Sequence, residues 1–100
     1  MNEEQLYQKL MEKKITVRFQ NINSFRIFCG FLLSKGINKK HDSQYYWDKY
    51  GTELCITISD LGNFKCGSVG FYREKGLEIY EYDKTPYVVD IIEEFICGGK

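Results

Sequence analysis

The run SFRIFCGFLLSKG, residues 24–36, constrains the fold of this chain more than any other stretch. It is the longest apolar run, and it carries its own start and stop signals. Ser24 can cap a first turn, because its hydroxyl can accept from an amide that has no partner within the helix. Gly36 can take the left-handed conformation that closes a helix, and Lys35 places a cation where the dipole is negative. Between them Phe25, Phe28, Cys29 and Leu32 fall at i, i+3, i+4 and i+7, one face of a helix, and Ile27 and Phe31 widen it. The segment reads as a central core helix packed broadly against a sheet. Gly30 costs up to about 1 kcal/mol inside a helix, so its expected use is close backbone approach to a neighbour.

The remaining elements follow from pattern. Asn2 with Gln5 resembles a capping box, and Leu6, Leu10 and Met11 form a narrow apolar stripe over residues 3–13. Residues 15–20 alternate apolar and polar and read as a first strand. Residues 37–44 are polar and aperiodic: a loop, with a short edge strand at Ile37 as its only regular candidate. Leu54, Ile56 and Ile58 share one face of a second strand over residues 54–59, and the turn residues 60–63 lead to an antiparallel third strand at residues 64–67. Residues 68–76 have two readings, an extension of that strand into a hairpin or one short helical turn around Phe71 and Tyr72. Residues 77–82 are a fourth strand, with Leu77 and Ile79 toward the core and Glu78 opposite. Over residues 85–97, Thr85 and Pro86 start a helix whose stripe is Val88, Ile91, Ile92, Phe95 and Ile96, with Asp90, Glu93 and Glu94 toward water and Gly98 as its stop.

The order α-β-α-β-β-β-α predicts a single α+β domain over residues 1–100. Its mostly antiparallel four-stranded sheet carries two helices on one face, with a short N-terminal helix leading. One hundred residues suffice for one core and little more. An unpaired strand edge and the spare stripe of the first helix predict a homodimer.

Charge narrows the function classes. Fourteen basic and fourteen acidic residues balance, against a dedicated DNA-binding domain and against an acidic DNA mimic. Residues 1–50 hold nine Lys and Arg against five Asp and Glu, and residues 51–100 reverse this. Two oppositely charged faces would follow, unless folding interleaves the halves. The polar N-terminus lacks a secretory signal and no apolar run approaches the roughly 20 residues of a membrane span, so a cytoplasmic protein is expected. Cys29, Cys55, Cys66 and Cys97 form no C-x-x-C pair and sit among apolar residues. Buried free thiols fit best, with a disulfide or a metal site as the other readings.

No catalytic constellation is legible. His41, the single histidine, precedes Asp42 and could serve as a general base, but a solvated loop histidine is the plainer reading. Phosphate-binding glycine loops are absent, and no cofactor or metal is expected. Residues 65–72, KCGSVGFY, match an RNA-recognition strand only at their ends, which favours plain sheet packing. The strongest candidate site is the aromatic cluster Tyr45, Tyr46, Trp47 and Tyr50, flanked by Lys39, Lys40 and Lys49. Tyr and Trp are enriched at binding hot spots, and beside lysines they could also stack a base and hold its phosphate. The structural alternative is a loop folded over the sheet edge with Trp47 plugging the core.

Over residues 15–83 the chain resembles small, largely uncharacterised α+β proteins encoded by phages and prophages of AT-rich bacteria. The likeness lies in ITVRF, a helix ending LLSKG, a loop tryptophan (Trp47), a strand around Cys55 and the close FYREKGLEIYEY. It departs after Gly36, where those proteins often carry Trp and this chain has Asn38. The resemblance implies a phage factor of the anti-CRISPR or anti-defence type, acting in the host cytoplasm without catalysis. Such a protein inhibits or redirects a host protein, such as a defence nuclease or effector, by stoichiometric binding. The other class of function is a nucleotide- or nucleic-acid-binding protein, such as a sponge for a signalling nucleotide.

Overall fold

The computed structural model describes residues 2–82 and shows an α+β fold built on a four-stranded mixed sheet in the order β3-β2-β1-β4. Helix α1 (Glu3–Met11) starts from the expected capping box. Asn2 Oδ1 accepts from the Gln5 amide at 2.9 Å, and Gln5 Oε1 accepts from the Asn2 amide at 3.0 Å. Strand β1 (Ile15–Phe19) leads into α2 (Ile22–Ser34), the central helix. Its cap is Asn21, not Ser24 as expected. Asn21 Oδ1 accepts from the Ser24 amide at 2.9 Å and Ser24 Oγ accepts from the Asn21 amide at 3.4 Å, so Ser24 becomes the reciprocal third residue. Asn and Ser cap about equally well, and this start employs both.

After α2 come α3 (Ser43–Tyr50), a 3₁₀ turn (Gly51–Glu53), β2 (Leu54–Ile58) and β3 (Phe64–Ser68). Ile37 forms no strand; it is buried in the main core. Residues 68–76 take the helical reading: Ser68 Oγ accepts from the Phe71 amide at 3.2 Å and starts α4 (Val69–Glu74). The break at Ser68 also ends any resemblance to an RNA-recognition strand, because residues 65–72 run from strand into helix. Strand β4 (Glu78–Tyr82) then pairs with β1 in parallel, from Ile15↔Glu78 to Phe19↔Tyr82, while β1–β2 and β2–β3 are antiparallel. A hairpin would have set β4 beside β3. The α4 crossover carries the chain over the sheet to its far edge instead.

The two faces of the sheet differ. Ile15, Val17 and Phe19 of β1 align with Leu54, Ile56 and Ile58 of β2 and with Tyr82 of β4, under Leu6, Leu10, Phe25, Phe28 and Leu32 of α1 and α2. Phe19 sits in an aromatic knot, 5.1 Å from Phe25, 5.9 Å from Phe28 and 5.8 Å from Tyr82. The opposite face carries a smaller cluster of Cys55, Val69 and Tyr72 with Leu77 and Ile79 packed on it. Leu77 and Ile79 therefore serve this second layer rather than the main core. The register with β1 is the cause, since it sets Tyr80 beside Val17 and Tyr82 beside Phe19, on the side of α1 and α2.

Leu6 and Leu10 are fully buried in the chain's own core, which leaves Met11 as the exposed remnant of the α1 stripe. Folding also interleaves the charged halves of the sequence. Arg18 meets Glu81 at 3.2 Å and Glu53 at 3.7 Å, and Lys13 meets Asp60 at 3.6 Å. No helix among the described residues is long and apolar enough to cross a membrane. The helix expected over residues 85–97, with its Cys97, lies outside the described residues.

Candidate functional site

The aromatic cluster expected in a loop forms a helix. Asp42 starts α3, its carboxylate accepting from the Tyr45 amide at 2.9 Å, and Gly51 ends it at φ +56°. An acidic cap, a glycine stop and Tyr46 and Tyr50 at i, i+4 were all readable as a helix. Four aromatics in six residues obscured it, because aromatic side chains are mediocre helix formers.

The helix separates the candidate residues. Tyr46 is buried, and its hydroxyl accepts from the amides of Lys40 at 3.2 Å and His41 at 3.3 Å. Its ring packs 5.3 Å from Phe64 and edge-on to Phe25 at 6.2 Å. Tyr46, rather than Trp47, is thus the plug that ties the 37–42 segment to the core. Trp47 is half-buried, tilted over Phe25 at 6.5 Å, and Tyr50 is half-buried with Lys49 Nζ 5.5 Å from its ring centroid. Tyr45 is 47% exposed. Its ring lies 4.0 Å from that of His41 at an interplanar angle of 32°, a tilted stack on the surface.

The three lysines do not converge on one aromatic cradle. Lys40 is exposed, Lys49 lies over Tyr50, and Lys39 turns into a cleft of about 420 Å³ between α2 and the 37–44 segment. Arg26, Leu33 and Gln44 line this cleft with Lys39, over Cys29 and Phe64. Leu33 is 57% exposed. Gly30 opens onto the same cleft, and a Cβ there would meet no atom within 4 Å. The expected close approach at Gly30 is therefore absent; the glycine faces the cleft rather than a packed neighbour.

Burial pushes the Cys29 thiol up to about 12 from 9.0, with Lys39 opposing, and the Cys55 thiol up to about 11. Cys66 is raised by the same desolvation. These three cysteines are free, and at neutral pH they are protonated, which makes them poor nucleophiles. No group of three or more His, Cys, Asp or Glu among the described residues is placed to hold a metal ion.

Fold and site together define an α+β domain whose two-helix face, α2 with α3, presents an aromatic stack beside an amphipathic cleft. Neither a protein-family model, nor a curated protein, nor a solved structure matches the chain.

Proposed function

We propose that this chain is a non-catalytic, phage-type binding protein that inhibits or redirects a host protein by stoichiometric capture through the α2–α3 face. The observation that carries this reading is the Tyr45–His41 stack. A large amphipathic ring lies outward on the His41 imidazole, which in turn sits 5.9 Å from the Tyr46 ring, and the His41 backbone amide donates to the Tyr46 hydroxyl. Exposed Leu33 and Arg26 line the cleft with Gln44, the residue before Tyr45, and arginine and aromatic side chains are the types enriched at interfaces. The resemblance to small phage and prophage proteins, similar in scale to factors that disarm host immunity, motivates the choice of a host defence protein as partner.

The test is quantitative capture from bacterial cells. Tyr45→Ala changes an exposed residue, so the variant keeps the wild-type Tm, while binding to a stoichiometric host partner weakens by about 2 kcal/mol or more. Capture of the same partner at the same affinity by Tyr45→Ala and by Leu33→Asp would remove this face as the docking surface.

A further inference from the structure

A second groove, of about 550 Å³, lies where α1 and β2 end and β1 begins, walled by α4. It shares no lining residue with the α2 cleft. Its floor is apolar, from Leu10, Ile58 and Cys66, and three lysines surround it: Lys13, Lys65 and Lys75. The one acid on its wall, Asp60, is almost wholly exposed and pairs with Lys13 at 3.6 Å. Lys65 and Lys75 have no carboxylate within ion-pair distance among the described residues. A cationic ring over an apolar floor suits an anion that carries a flat apolar group.

The backbone at Lys13 points to the same use. Helices α1, α2 and α4 all close with the same pair of hydrogen bonds. They are Lys13 and Lys14 amides to Leu10 and Lys9 carbonyls, Gly36 and Ile37 to Leu33 and Leu32, and Gly76 and Leu77 to Arg73 and Tyr72. The left-handed residue is glycine in α2 and α4, at φ +84° and +80°. In α1 it is Lys13, at φ +62°, the one positive-φ residue other than glycine among the described residues. A side chain is disfavoured in that conformation, and here it is kept with its ammonium donating to the Ile58 carbonyl at the mouth of the groove.

The aromatic wall is equally fixed. Phe71 is 50% exposed, with Lys75 Nζ 4.9 Å from its ring centroid and the Tyr72 ring 5.0 Å away. A Cβ at Gly67 would come within 3.2 Å of Phe71 Cδ2 and of Tyr72 Cε2, so the bare backbone of β3 lets both rings lie against it. Thr57 and Ser59 add hydroxyls to the groove.

We propose that this groove is a mononucleotide-binding site, with the phosphates held by Lys13 and Lys65 and the base stacked on Phe71 beside Lys75. Its volume falls in the range of small-ligand pockets, roughly 300–1,000 Å³. The three lysines ring a single groove of mononucleotide size, and a nucleic-acid strand is the competing ligand in the titration below. The sequence places base-and-phosphate chemistry at Tyr46 or Trp47 with Lys39, Lys40 or Lys49; this groove offers aromatic and lysine side chains from other elements.

The experiment is titration of the full chain at low salt with ATP, inorganic tripolyphosphate and an oligothymidylate, followed by calorimetry and thermal shift. ATP raises Tm in a concentration-dependent way, and tripolyphosphate binds more weakly. Phe71→Ala weakens ATP about tenfold and leaves tripolyphosphate unchanged, since stacking serves the base alone. Lys65→Glu with Lys75→Glu, both at exposed positions, abolishes binding of both, and Tyr45→Ala, on the other face, changes neither. The proposal is overturned if millimolar ATP gives no shift, if the folded Phe71 and lysine variants bind ATP as wild type does, or if oligothymidylate binds far more tightly than ATP.

Discussion

Tyr82 donates its hydroxyl to Glu3 Oε2 at 2.8 Å, joining the last described strand to the first turn of α1 across 79 positions of sequence. The contact also closes the aromatic knot, since Tyr82 lies 5.0 Å from Phe28. Desolvation, and then the carboxylate it bonds, raise the Tyr82 hydroxyl well above the ordinary tyrosine range. Hydrogen bonds to charged groups contribute roughly 1.5–3 kcal/mol, and partial exposure here places the effect at the low end. Tyr82→Phe keeps the ring packing and is expected to lower unfolding free energy by about 1–2 kcal/mol in urea titration. A Tyr82→Phe chain as stable as wild type would show that this hydrogen bond does not help to hold α1, leaving its other contacts, such as Leu6 and Leu10 in the core, Tyr7 on Phe31 and Glu4 with Lys35, to do so.

Tyr46 performs the corresponding task for the segment between α2 and α3. Its hydroxyl is the shared acceptor for two consecutive amides, at Lys40 and His41. Tyr46→Phe leaves both amides without it, at a cost of about 1 kcal/mol. The change should speed hydrogen exchange at residues 40 and 41 while leaving that of β1 and β2 unchanged. It should also loosen the His41 ring under Tyr45, so partner affinity through the α2–α3 face falls although Tyr46 itself is buried. Unchanged exchange at 40 and 41 would count against the anchoring role.

The elements with strong periodicity were legible in sequence: α1, β1, α2, β2 and β3 fall within a few residues of their expected bounds. The α1 capping box was legible too, because Asn2 and Gln5 act over three residues. What escaped was set by long-range topology. Nothing in EIYEY says that it pairs in parallel with ITVRF, and that pairing decides which of Ile79 and Tyr82 reaches the main core. The cluster 45–50 was legible in composition but not in conformation, so the residue singled out as its anchor was Trp47 rather than Tyr46. The groove residues Lys13, Lys65, Phe71 and Lys75 come from three segments, the end of α1, β3 and α4, and no local pattern unites the three.

Gly30 offers a test of the α2 cleft. It sits inside α2 with ordinary helical backbone, and a Cβ there meets open space. On stability grounds Gly30→Ala should therefore gain about 0.5–1 kcal/mol, by restricting the unfolded chain and favouring the helix. Glycine at this position leaves the wall of the cleft bare, with room for a partner group on the proposed docking face. Gly30→Ala is expected to raise Tm in thermal melts while weakening capture through the α2–α3 face. A lowered Tm would indicate that the helix needs glycine there for a reason internal to the fold.

Alkaline pH should unfold this chain through its thiols. Burial holds Cys29 at about 12 and Cys55 at about 11 in the folded protein, against 9.0 for a free thiol. The folded state thus keeps protons that the unfolded state releases once pH passes about 9, and more protons bound to the folded state means that stability falls as pH rises. This stabilisation is fully present below pH 9 and is lost progressively as pH climbs through 11 to 12. The slope approaches on the order of 1 kcal/mol per pH unit for each of these two thiols between its unfolded and folded values. Urea midpoints measured between pH 8 and pH 10.5 should drop steadily above pH 9, and Cys29→Ala, though less stable at pH 7, should show a shallower decline. Parallel declines for wild type and Cys29→Ala would assign the alkaline sensitivity to groups other than this thiol.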